Sequence, residues 1–62
     1  MNELLICIKP KGYLYYKTDA DNAVDAFKQY QEALLEKGIN DDNIAYSYCQ
    51  LRDAEGNDID TI

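Results

Sequence analysis

The chain has 62 residues, with twelve Asp and Glu against six Lys and Arg, no histidine, and a formal net charge of −6. A chain of that length forms one domain, residues 1–62, buries only about 60% of its unfolded surface, and has little room for a substrate pocket. Its charge repels phosphate, which argues against direct nucleic-acid binding and against an anionic membrane as a partner. No apolar run approaches the roughly 18 residues of a membrane-spanning helix.

The charge is unevenly spread. Residues 1–18 carry Lys9, Lys11 and Lys17 against Glu3 alone, whereas residues 19–62 carry Lys28, Lys37 and Arg52 against eleven acids. Two cysteines, Cys7 and Cys49, are too few for a disulfide framework, and no signal-like apolar segment precedes the first strand. They read as small buried hydrophobes of a protein in the reducing cytoplasm.

In chain order, Glu3 to Ile8 (ELLICI) is too short and too apolar for a surface helix, and predicts a largely buried, central strand. Lys9-Pro10-Lys11-Gly12 carries turn chemistry. Tyr13 to Lys17 (YLYYK) has the aromatic content of a second strand, so the two form a hairpin. Residues 18–38 predict the one helix. Thr18 or Asp19 is the expected N-cap, and acids crowd the first turn where the macrodipole is positive. Gly38 closes the helix with Ile39 behind it, and Ala20, Ala23, Val24, Phe27, Tyr30 or Gln31, and Leu34 recur as a core-facing stripe. Residues 40–43 (NDDN) form a polar loop, followed by a third strand, Ile44 to Arg52. Strict alternation there places Tyr46 and Tyr48 on one side and Cys49 and Leu51 on the other. A turn over residues 53–57 leads to a short fourth strand, Asp58 to Ile62.

The sum is an α+β domain of order β-β-α-β-β, one helix packed on one face of a small three- to four-stranded antiparallel or mixed sheet. One helix leaves the other sheet face open. Tyr13 with Tyr15, and Tyr46 with Tyr48, are expected to form an aromatic platform there if both pairs point outward. A chain this small also gains from a homodimer that shares a sheet edge or a tyrosine face.

Catalytic chemistry finds no support. With no histidine, neither cysteine has its usual activating partner, and no acid lies in an apolar context that would raise its pKa. Asp19, Asp21 and Asp25 copy part of a calcium-loop spacing but lack its glycine and have Tyr30 in place of the closing glutamate. Asp53, Glu55 and Asn57 start a second such match, with Asp58 where glycine is required. No cofactor, metal or catalytic residue is expected.

Two functions from different classes fit. The first is a small acidic interaction protein that mimics nucleic acid and occupies the basic surface of a partner protein, as inhibitors encoded by phages and mobile elements do. Alternate carboxylates on a strand lie about 6.6 Å apart, close to the phosphate spacing of a nucleic-acid strand. Asp58 and Asp60 have that spacing, and Asp41, Asp42, Asp53 and Glu55 extend the field if their two loops share one end of the sheet. The second is an assembly module, a small homo-oligomer or accessory subunit that binds through Tyr46, Tyr48 and the rest of the tyrosine face, its acidity serving solubility.

Overall fold

In the computed structural model, which describes all of Met1–Ile62, strand β1 (Asn2–Ile8) has an antiparallel neighbour on each side. β2 (Tyr13–Thr18) returns beside it through the Lys9–Gly12 turn, α1 (Ala23–Glu36) crosses over, β3 (Tyr46–Arg52) pairs with the far edge of β1, and β4 (Asp58–Thr61) closes the sheet. The sheet is fully antiparallel, in the order β2-β1-β3-β4. The central position explains the unbroken apolar run of β1. Leu4 and Ile6 are fully buried beneath α1, and Leu5, on the opposite face, is nearly so.

The helix begins later than the sequence suggests. Thr18 stays in β2, paired with Asn2; its hydroxyl accepts the Ala20 N–H at 3.0 Å and donates to the side-chain carbonyl of Gln29. The N-cap is Asn22, whose side chain accepts the Asp25 N–H at 2.8 Å. At the other end Gly38 has φ 75°, and Gly38 and Ile39 donate to the carbonyls of Leu35 and Leu34, each at 2.9 Å. These paired bonds make the expected glycine-closed terminus, which satisfies two orphan carbonyls.

The buried stripe is Ala23, Ala26 and Tyr30, with Phe27 and Leu34 packed partly against it; Val24 and Leu35 face water. Val24 is therefore displaced from the expected core by Ala26. Two alanines let the helix backbone sit close to Leu4, Ile6 and Leu51, while Tyr30 and Phe27 fill the wider end with Tyr16 and Tyr46 in mostly edge-on contacts, ring centroids 5.1–6.2 Å apart.

The expected alternation of β3 breaks at a bulge. Cys7 pairs with Tyr48 but the next residue, Ile8, pairs with Tyr46, so Ser47 is an extra residue on β3. Tyr46 is thereby turned under the helix with Cys49 and Leu51, while Tyr48 stays on the open face; the two do not share a side.

Replacing Phe27 with Ala should cost about 3 kcal/mol, by the loss of a large aromatic from a packed layer, and Val24→Ala less than about 0.5 kcal/mol. Urea unfolding of the two variants checks this: equal midpoints would mean that the helix faces the other way.

Candidate protein-interaction face

The strand registers arrange the open face as three rows. Tyr13, Cys7 and Tyr48 lie side by side across the sheet; Tyr15, Leu5, Gln50 and Thr61 form the next row; Lys17, Glu3, Arg52 and Asp58 form the third. The first two rows join into an apolar patch. Tyr13 and Tyr15 are 58% and 63% exposed and Tyr48 39%, with Leu5 buried between them and the small side chain of Cys7 lying beneath. Burial beside its neighbours, and then the nearby Tyr13, push the Tyr48 hydroxyl above its ordinary pKa. The third row alternates in sign by register, and the Arg52 guanidinium donates within its own strand to the Gln50 side-chain carbonyl at 2.9 Å. The row borders the tyrosines with polar groups, as the rim of an interface does.

The acids expected to act together are dispersed. Asp58 faces the open side, where its carboxylate accepts the Thr61 hydroxyl at 3.3 Å. Asp60 pairs with Leu51, on the helix side, because a second bulge at Ile59 separates it from Asp58. There its carboxylate accepts the Ala23 N–H at 2.7 Å, capping the first turn of α1 alongside Asn22. Asp53 accepts the N–H groups of Glu55 and Asn57, both at 2.9 Å; the Asn57 contact first, and the turn's other N–H groups with it, hold its carboxyl below the usual range. Asp41 is half-buried and accepts the Tyr46 hydroxyl at 2.9 Å and the Gln31 amide at 3.3 Å. Asp42 and Glu55 are exposed. The loops that carry Asp41 and Asp53 flank the seven-residue strand β3, so they lie at opposite ends of the sheet, about 20 Å apart, and the condition for one joint field is not met.

Tyr46 is half-buried and serves the helix–sheet layer rather than a free surface. Its hydroxyl lies 3.3 Å from that of Tyr30, and burial, followed by the contacts with Tyr30 and Asp41, pushes its pKa far above the ordinary tyrosine range. Both cysteines are free thiols, on opposite faces: Cys7 in the open-face row, Cys49 beneath the helix, where burial raises its pKa. Glu3, Leu5, Lys17, Arg52 and Thr61 are members of the open face that residue types alone do not single out; the strand registers assign all five. No protein-family model, curated protein or solved structure matches the chain.

Two outcomes follow from these contacts. Asp60→Ala should lower stability by about 1 kcal/mol, measured by urea unfolding, whereas Asp58→Ala should change it by less than half as much. The folded Tyr46 hydroxyl keeps a proton that the unfolded chain releases near pH 10, so stability present below that pH is lost as pH rises further. Tyr46→Phe should therefore show a shallower alkaline loss than the parent in melts between about pH 9 and 11.

Proposed function

We propose that the chain is a protein-interaction module that binds a protein partner through the open face of its sheet, with Tyr13, Tyr15 and Tyr48 as anchors. The observation that carries this reading is the contiguity of three exposed tyrosines on the one sheet face that no helix covers. Tyrosine brings a large contact area with only two rotatable bonds and a hydroxyl at the rim, which is why it is enriched at interface hot spots. The sign-alternating row of Lys17, Glu3, Arg52 and Asp58 favours a partner with mixed rather than single-sign charge around an apolar centre. Such a module acts as an accessory or assembly subunit.

A second reading, an acidic inhibitor that occupies a basic, nucleic-acid-binding surface, draws on a different set of residues. Asp25, Glu32 and Glu36 are exposed along α1, about 10 and 6 Å apart in axial rise, and Asp42, Glu55 and Asp58 are exposed elsewhere. The support for it is the net charge of −6, not a shared strand face.

Salt and substitution separate the two. The immobilised protein is used to capture its partner from a host lysate at about 0.05 and 0.5 M salt, where exposed charges are weakly and strongly screened. Tyr15→Ala with Tyr48→Ala should abolish capture, each costing about 2 kcal/mol of affinity, and parent capture should survive high salt. Capture that vanishes at high salt, and is lost when Glu32, Glu36 and Asp42 are neutralised but not when the tyrosines are removed, would establish the acidic reading instead.

A further inference from the structure

The two edges of the sheet are treated differently. On β4 the exposed edge is short, interrupted by the bulge at Ile59 and lined by Asp58 and Asp60, and the Thr61 N–H is taken up by its neighbour's carboxylate at 3.1 Å. These are the devices that prevent edge-to-edge pairing. β2 has none of them beyond Lys17. Ile8 donates to the Gly12 carbonyl, which sets the alternation of the β1–β2 ladder: Leu14, Tyr16 and Thr18 bond inward to β1, and the N–H and C=O groups of Tyr13, Tyr15 and Lys17 point out from the edge. The strand is apolar on both faces, with Tyr13 and Tyr15 on the open side and Leu14 and Tyr16 on the helix side. An apolar groove of about 270 Å³, lined by Leu14, Tyr16, Tyr30 and Leu34, runs along it beneath the helix.

We infer that β2 is a self-association edge, and that its occupant is β2 of a second copy, joined antiparallel into one eight-stranded sheet. This goes beyond the proposed partner face and stands on different atoms, the outward backbone groups of the edge. The segment Tyr13-Leu14-Tyr15-Tyr16-Lys17 is complementary to itself about Tyr15. A two-fold axis normal to the sheet pairs Tyr15 with its own copy and Tyr13 with Lys17, an aromatic with a cation. It also places Leu14 beside Tyr16 on the helix side, so that each copy closes the other's groove. All outward groups of Tyr13, Tyr15 and Lys17 find partners in that register. Charge selects the same edge. Each copy carries −6, yet residues 4–18 contain three lysines and no acid, so the copies meet where their mutual repulsion is least, whereas two β4 edges oppose aspartates. One strand edge buries less than the roughly 1,600 Å² of a standard interface, so the association is weak and is sought at high concentration.

The test is sedimentation equilibrium of the full chain at about 0.5 mM, a concentration suited to a small interface, with amide hydrogen exchange on the same samples. A dimer is expected, with the Tyr13, Tyr15 and Lys17 amides gaining protection at least tenfold between dilute and concentrated samples. Leu14→Lys, which places a charge on the helix side of the edge, should be monomeric with an unchanged circular-dichroism spectrum and should still capture the partner bound by the tyrosine face. A monomer at that concentration overturns the inference. So does a dimer in which those three amides stay unprotected, or open-ended growth, which would mean that β2 pairs with β4. Should Leu14→Lys not fold, the exchange pattern of the parent chain decides.

Discussion

The fold depends on the contact between Leu4 and Ile6 of β1 and the alanine stripe of α1. Three elements converge on those two side chains, because β1 lies between β2 and β3 and under the helix at once. Ala23 and Ala26 have almost no side chain to hold the helix away, so the layer between helix and sheet is thin at that end. Aromatics are needed only where it widens, at Tyr30, Phe27, Tyr16 and Tyr46. A domain with so few fully buried large side chains, Leu4, Ile6 and Leu51, has little redundancy; each is a substantial part of a stability of order 5 kcal/mol. The same thinness leaves the second sheet face to a few tyrosines and aliphatic stems, which ties the architecture to the surface from which binding is proposed.

Much of this was legible beforehand. The order β-β-α-β-β, the central position of β1 and the glycine-closed end of α1 follow from an apolar run too short for a helix, turn residues between runs, and Gly38 followed by Ile39. What could not be read were the features that depend on pairing. Thr18 is an excellent N-cap in isolation, but the register with Asn2 keeps it in β2 and hands the cap to Asn22. Strict period-two alternation is a good rule for a regular strand, and it fails in β3 because one residue, Ser47, is extra relative to β1; nothing in the run Tyr-Ser-Tyr marks a bulge.

The expected joint acidic field and the shared face of Tyr46 and Tyr48 fail for the same reason. Spacing along the chain groups the acids, yet Asp41, Asp53 and Asp60 each have a local occupation that spacing does not reveal. Asp53 organises its own turn, Asp41 receives Tyr46, and Asp60 belongs to the helix terminus. A carboxylate's partners are set by the fold around it, so a count of charges measures the field of the molecule and not the composition of a surface. Tyr13 and Tyr15 were legible as an open-face pair because β2 is regular; Tyr46 was not, because β3 is not.

The bond between Asp60 and the Ala23 amide joins residues 37 positions apart, and it links the last strand to the first turn of the helix. Fraying of β4 therefore removes one of the two side-chain caps of α1 and leaves Asn22 to hold the first turn alone. Whatever binds or extends β4 acts on the helix start through a single carboxylate, at the end of the molecule away from the β1–β2 turn. A peripheral strand of four residues thus reaches the first turn of an element that it scarcely touches.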